Sequence, residues 1–541
     1  MTRRRRDLWP IAGALLGAAC VPDFQAPGGG RGGTEAQAGP GGARGTGRPL
    51  RGGTLTLALP RDANNFDPLR SNDAYSNTVM ATVLDSLYEL DQEGKVRGRL
   101  VEKTENPQPH VYLMTLRRGV AFHDGTPLDA EAVRFNLQRH LETPGSARGQ
   151  DVRDITALEV LDPLTLRVTL RAPFAPFPGK LIGGAGYIVS PAAVQRLGEA
   201  LQRDLTGAGS GPYRFVQWQK DTQVVVERNA GYWKKNATGE SLPYLDRIVF
   251  RPFPDENVRL ANLRTGDADA LVDNPPYKDI AALKGDPSLS VRELPGLGFS
   301  LFLLNTRAEP FDNPAVRRAL SLALDREQLV KTVFFGNGRP LDGAVPETIS
   351  WAYQREDRPY MRRDLARARA ELQGAGKAGG VRFTMQVPNN SPERLQIAEL
   401  VQDQLKGAGL EMEIRPLDFG TVLANGGAGA FDAISLGTSG DVDPDGNLYS
   451  LTHSASAQNL GRYSNPEVDR LLEEGRAALD VERRAALYRQ VQRILDQDQP
   501  FVVYFNPPQL SISRRKVQSY PQTYNGYWGS RDLEQTWRET P

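Results

Sequence analysis

The segment Leu116-Arg117-Arg118-Gly119-Val120-Ala121-Phe122-His123-Asp124-Gly125-Thr126-Pro127-Leu128, continued by Asp129-Ala130-Glu131-Ala132-Val133, carries strand, turn and helix signals in immediate succession. Leu113 to Phe122 alternates as a half-buried strand does. Asp124-Gly125 supplies a position tolerant of positive φ, which reads as a turn. Asp129 stands where a helix N-cap stands, since its carboxylate can accept from an otherwise unpaired backbone N–H. Val133, Leu137 and Leu141 then recur every four residues, the buried stripe of a helix. A base-and-orienter reading of His123-Asp124 competes with that turn, and the turn is preferred.

The same alternation extends in both directions. Thr54–Leu59 and Thr165–Leu170 have period two. Asn313-Pro314 opens a helix with proline at its first position, with Val316, Leu320 and Leu324 on its buried face. Ser391-Pro392 opens another, with Leu395, Val401 and Leu405 facing inward until Gly407, and Glu411–Leu417 alternates as a strand. The expected class is α/β or mixed α+β with several lobes. At 541 residues, and about 150 per domain, the chain has room for two to four. No run after residue 20 is long and apolar enough to span a membrane.

Composition narrows the function. Lys+Arg number 66 and Asp+Glu 65, so no global field argues for nucleic acid as a partner. The single cysteine, Cys20, excludes an intramolecular disulfide framework, a CxxC redox motif and a multi-cysteine zinc site. Four histidines leave little for a metal centre, and no metal or cofactor is expected. Asp441-Val442-Asp443-Pro444-Asp445-Gly446 begins like a calcium loop, but Thr452 stands where a bidentate Glu is needed. No GxSxG, Walker loop or HExxH is present, and Gly207–Pro212 lacks the Lys-Ser/Thr of a phosphate cradle. The chain is therefore not expected to be an enzyme.

The N-terminus reads as an export signal. Arg3 to Arg6 form a basic region and Leu8 to Ala19 a short apolar one. Cys20 follows Leu16-Gly17-Ala18-Ala19 and is the expected lipidation site of a bacterial lipoprotein. Gly17 stands where a larger aliphatic residue is usual, and an unlipidated cysteine is the alternative. General and twin-arginine export both remain open. Removing residues 1–19 takes away four Arg and one Asp, so the basic excess belongs to the signal. In residues 28–47 every second residue on average is glycine, and residues 21–50 read as a flexible tether. The expected place is the periplasmic or extracellular face of the cytoplasmic membrane.

Several stretches resemble the family-5 bacterial extracellular solute-binding proteins, the peptide and nickel receptors of ABC importers. Leu116 to Leu128 with Ala130–Val133 looks like the family's signature segment. Gly209-Ser210-Gly211-Pro212-Tyr213 is similar to its GTGPY entry. Tyr232-Trp233, Pro243-Tyr244-Leu245-Asp246, Leu304-Asn305-Thr306 with Pro310-Phe311-Asp312, Val316-Arg317-Arg318-Ala319-Leu320 and Tyr463-Ser464-Asn465-Pro466 follow in family order from about residue 51 to 508.

The resemblance implies a two-lobed periplasmic-binding-protein clamshell (class II-like) with an extra inserted domain. Mapped onto this chain, lobe I is expected at 51–80, 188–291 and 508–541, the insert at 81–187, and lobe II at 292–507. It implies an extracytoplasmic, monomeric receptor that captures a peptide-like solute between the lobes and delivers it to an ABC permease of the inner membrane. To convert a mostly open population to a mostly closed one, the solute must prefer the closed form by roughly 5.5 kcal/mol. It also implies Asp441, in Thr438-Ser439-Gly440-Asp441, as the anchor of the ligand's ammonium. Thr438 replaces the family's tryptophan, and Asn425–Ala430 offers no arginine for a ligand carboxylate. Tyr75 is expected at the cleft rim. The alternatives are an opine, an oligosaccharide or a metal chelate on the same scaffold, a solute sensor, or a secreted hydrolase, which the missing nucleophile argues against.

Overall fold

A computed structural model describes residues 48–91, 94–341, 343–354, 358–521 and 533–539. Cys20, the export signal and most of the tether lie outside these residues. Among the described residues no helix is long and apolar enough to cross a membrane.

Among the described residues three larger sheets, beside two of two strands each, organise the fold. The first has seven strands in the order Leu289–Pro295, Pro508–Arg514, Ala270–Leu271, Thr54–Leu59, Arg247–Pro252, Gln223–Arg228 and Tyr213–Gln219. Thr54–Leu59 lies at its centre, parallel to both neighbours. Leu55, Leu57, Ala58 and Leu59 are all fully buried, as a strand covered on both faces requires. The second sheet has six strands, ordered Arg339–Pro340, Phe501–Asn506, Phe299–Leu304, Ala433–Thr438, Val381–Pro388 and Leu410–Leu417. Alternation along Phe299–Leu304 divides two cores. Phe302 and Leu304 pack with Val316, Leu320 and the helix Pro392–Lys406, whereas Phe299, Leu301 and Leu303 face the opposite cluster. The third sheet is antiparallel, ordered Val101–Gln108, Val111–Leu116, Thr165–Leu170 and Ile155–Asp162.

The caps form as the sequence suggests. Asp129 accepts from Ala132 N at 2.9 Å and opens the helix Ala130–Glu142. Asn313 accepts from Ala315 N at 2.9 Å ahead of Pro314–Ala323. The strand expected at 113–122 is shorter, Val111–Leu116, because the chain turns at Gly119 (φ 74°) before Phe122. Leu324 lies just past its helix, as the C-cap. His123 and Asp124 do not form a dyad. His123 Nε2 lies 3.0 Å from Gly211 O, while Asp124 accepts from Ser190 Oγ and Thr126 around the Gly125 turn.

The chain passes between the two large sheets twice, at 296–298 and at 507. The crossings lie side by side. Gly296 N donates to Pro507 O at 3.1 Å. The buried Asn506 carboxamide donates to Gly296 O and Gly298 O, at 3.0 and 2.7 Å. A Cβ on Gly296 would lie 2.6 Å from Pro507 O, so glycine is needed for the approach.

A buried charge cluster holds the third sheet to the first. Arg99, 2% exposed, donates to Asp85 (2.6 Å), Glu89 (2.7 Å) and Tyr232 Oη (2.9 Å), with Glu534 at 3.6 Å. Asp85 also accepts from Ser210 Oγ, Tyr232 Oη and Trp233 Nε1. Lys234 adds a second cation against Glu89 and Glu534. Burial opposes the charge of Glu89, but Arg99 and Lys234 outweigh it and hold its pKa below the ordinary value.

Two expectations follow. Arg99→Leu strands buried carboxylates and lowers stability by about 3–5 kcal/mol, read as a fall in the urea midpoint. Burial also depresses the pKa of His123 and His140 to about 4 from an unfolded value of 6.5. Between pH 6.5 and 4 the unfolded chain binds more protons, so this stability is complete above pH 6.5 and is lost as pH falls towards 4. Urea midpoints at pH 7 and pH 5 check this, with His123→Gln flattening the dependence.

Candidate functional site

The strand Ala433–Thr438 ends between the two large sheets, and its C-terminal residues separate two cavities. One, of about 550 Å³, is lined from the six-stranded side by Phe299, Arg394, Thr438 and Ser439, and from the seven-stranded side by Tyr75 and Asp273. The other, of about 860 Å³, lies between Gln150–Lys180 of the third-sheet region and Gly437–Arg476. Gly437, Thr438 and Ser439 border both. A separate cavity of about 650 Å³ lined by Arg326, Arg358 and Arg362 touches none of the expected site residues.

The position of this strand end follows from the crossings. Thr438 pairs with Phe299 across the sheet, and its Oγ1 accepts from Phe299 N at 3.2 Å. A Cβ on Gly298 would lie 2.3 Å from Thr438 O, and one on Gly440 (φ 81°) would lie 2.2 Å from Leu297 C. Gly440 is thus required by backbone contact. Tyr75 lies on the helix Ala74–Val83, which Asp73 caps through Ser76 N at 2.8 Å. Its hydroxyl donates to Asp273 Oδ2 at 2.8 Å, and Arg61 stacks on its ring, 4.7 Å from the centroid. Burial, then Asp273, raises the Tyr75 pKa, so the phenol keeps its proton at neutral pH.

The acidic loop is saturated with cations from within the chain. Lys180 Nζ donates to Asp441 Oδ2 at 2.7 Å. Asp441 Oδ1 accepts from Asp443 N at 3.1 Å, an Asx turn. Asp443 pairs with Arg484 at 2.8 Å and caps the helix Pro444–Thr452 through Asp445 N. Arg476 holds Asp445 through two bonds, 3.1 and 2.8 Å. The three carboxylates therefore serve three separate cations, which is not the convergence a calcium loop needs. Burial disfavours the Lys180 ammonium, but Asp441 more than offsets this and holds the amine pKa above its usual value. Beside the pair, Gly179 packs so that a Cβ would lie 3.3 Å from Val442.

The expected residues are thus divided. Tyr75, Thr438 and Ser439 line the smaller cavity, and Thr438 to Asp441 line the larger. Asp441, expected to meet a ligand ammonium, already carries that of Lys180. His453 is buried, stacked on Tyr449 with centroids 4.1 Å apart and 3.2 Å from Glu473.

Three residues escaped sequence reasoning: Lys180, Asp273 and Arg394. Arg394 sits in the first turn of the helix Pro392–Lys406, which Ser391-Pro392 announced. Its guanidinium donates to Ser435 O at 3.1 Å and packs against Gly437. Among the described residues it has no ion pair.

The Lys180–Asp441 pair is about one-quarter exposed on each side, so solvent screens it. A double-mutant cycle of Lys180→Met and Asp441→Asn is expected to give a coupling of about 1 kcal/mol in unfolding free energy, far below the cost of breaking the Arg99 cluster.

Comparison with known proteins agrees with this architecture. The family model for bacterial extracellular solute-binding proteins, family 5 (middle region), matches residues 95–459. The glutathione-binding protein GsiB of Salmonella choleraesuis is 30% identical over 491 residues, 88% of this chain and 91% of GsiB. The structure of HbpA2 from Haemophilus parasuis superposes with a TM-score of 0.82 at 25% identity, over 90% of this chain and all of HbpA2. The periplasmic binding protein DppA from Helicobacter pylori, solved with the peptide STSA, gives 0.72 at 26% identity, over 91% of this chain and 99% of DppA. The fold is accordingly the two-lobed, mixed α/β fold of these binding proteins, and the chain belongs to family 5 of the bacterial extracellular solute-binding proteins.

Proposed function

We propose that this protein captures a short peptide-like solute in the 550 Å³ cavity between its two large sheets and presents it, outside the cytoplasm, to an ABC permease. Arg394 carries the reading. It is a guanidinium on the wall of that cavity, with one carbonyl partner and no ion pair among the described residues. A fork of N–H donors in that state suits a carboxylate, which a peptide supplies at its C-terminus. The named ligands of two relatives, glutathione and the peptide STSA, are both peptides. Tyr75, Thr438 and Ser439 form the remaining polar wall, while Gly440 and Asp441 shape the boundary with the larger cavity.

The domain assignment belongs to the same proposal. Lobe I comprises 51–80, 188–295 and 508–541, the insert 81–187, and lobe II 299–506; the expected break after 291 would cut the strand Leu289–Pro295, which pairs along its whole length with Pro508–Arg514. The crossings at 296–298 and 507 are the hinge. Lipidation of Cys20 would hold the monomeric receptor near the permease, and stable anchoring takes more than a single acyl chain.

Isothermal titration of the purified chain with glutathione and with Ser-Thr-Ser-Ala tests the capture. At least one is expected to bind, and Arg394→Gln to raise its Kd about 10- to 100-fold, the value of a charge-assisted hydrogen bond. Saturable binding that ignores this substitution, or a chain that binds only sugars or metal chelates, overturns the reading.

A further inference from the structure

The smaller cavity carries charge of both signs, placed on opposite lobes. Arg394 lies on the six-stranded side and Asp273, just past the strand Ala270–Leu271, on the seven-stranded side. Asp273 Oδ1 accepts from Asn274 N at 2.8 Å, and Oδ2 accepts from the Tyr75 hydroxyl. Neither bond supplies a positive charge. Among the described residues Asp273 has no ion pair. The two arginines nearest Tyr75 are committed elsewhere, Arg61 to Asp73 and Arg259 to Phe253 O. The carboxylates of the neighbouring loop, Asp441, Asp443 and Asp445, each hold a cation of the chain itself. Glu393 also lines the cavity, but it adjoins Arg394 on one helical turn and accepts from Ser391 Oγ. It stands at the carboxylate end of any ligand held by Arg394.

From this charge arrangement we infer that Asp273, oriented by Tyr75, receives the ligand's ammonium group, and that Asp441 does not. The ligand class is a zwitterion with separated ends, carboxylate on Arg394 and ammonium on Asp273. Lys180 occupies Asp441 as a built-in ammonium, so an incoming amine gains nothing there without expelling a lysine. Tyr75 is a positioning residue: its donated proton fixes one carboxylate oxygen and leaves the other lone pairs for the ligand. This inference rests on the peptide-capture reading above.

The test compares Ser-Thr-Ser-Ala with its N-acetylated form on the wild-type chain and on Asp273→Asn, Asp441→Asn and Tyr75→Phe. In the wild type, acetylation is expected to raise Kd about 10- to 100-fold. Asp273→Asn should bring the ratio of the two affinities close to one. Tyr75→Phe should reduce the ratio, and Asp441→Asn should leave it unchanged. Asp273 and Asp441 are both solvent-accessible, and a cooperative urea transition, lowered by no more than about 1 kcal/mol where Asp441→Asn loses Lys180, shows that each variant folds. A ratio that survives Asp273→Asn, or collapses in Asp441→Asn, overturns the assignment while peptide capture stands. Failure of the wild type to bind either form, or glutathione, overturns capture itself and this inference with it.

Discussion

The side-by-side crossing of the chain between its two large sheets is the constraint on which the rest depends. The Asn506 carboxamide bonds the carbonyls of Gly296 and Gly298, so two strands far apart in sequence leave one sheet and enter the other as a pair. An unpaired buried amide costs about 1–3 kcal/mol, which keeps this junction joined while its neighbours rotate. The same junction sets the floor of the cleft. Gly298 backs onto Thr438 and Gly440 onto Leu297, with no room for a side chain at either glycine. The crossing and the loop at 438–441 are thus in backbone contact, so a change of angle between the sheets would be felt first at that loop.

Two ionic contacts of the inserted region differ in magnitude. At one end Arg99, Asp85, Glu89, Lys234 and Glu534 form a buried cluster in which each charge depends on the others. Breaking it costs several kcal/mol because the survivors remain desolvated. At the other end Lys180 meets Asp441 in partial solvent, with Val442 packed behind it. That contact is worth about 1 kcal/mol. The pair does not act alone: Ala175 N donates to Arg476 O at 2.7 Å, Arg476 lies over the Phe174 ring, and buried residues of the insert and of the six-stranded lobe share one hydrophobic cluster.

What could be read from the sequence was what local chemistry encodes. Asp129 and Asn313 cap the helices they precede because a cap needs only the next few backbone amides. Glu411–Leu417 follows its alternation because pleat period and burial coincide, whereas Thr54–Leu59 forms as a strand but is buried on consecutive residues from Leu57 to Leu59. The alternation overruns the turn at Gly119, because Val120 and Phe122 continue the apolar pattern after the backbone has reversed, so the strand is shorter than its pattern. The ordered motifs led to the family and to the loop at 438–441, but not to what meets that loop. Lys180 is 261 residues away from Asp441, and Tyr75 is 198 from Asp273. No periodicity joins such partners. A lysine in Phe177-Pro178-Gly179-Lys180 and an arginine in the first turn of a helix look like any surface residues until the fold brings them to one cleft.

The arrangement of those late-found residues links recognition to closure. A solute shifts a conformational equilibrium only by its difference in affinity for the two states. A ligand held wholly by one lobe binds open and closed forms alike and moves nothing. Arg394 and Asp273 lie on different lobes and face one cavity, so a ligand engaging both gains its second charge-assisted bond only when the lobes approach. At about 1.5–3 kcal/mol per such bond, one cross-cleft contact supplies about a quarter to a half of what full closure demands. Further burial of Tyr75, Val272 and Tyr277, which are partly exposed on the same walls, adds an apolar contribution. The separation of charge across the hinge, rather than the number of contacts, is what lets this cleft report that it is filled.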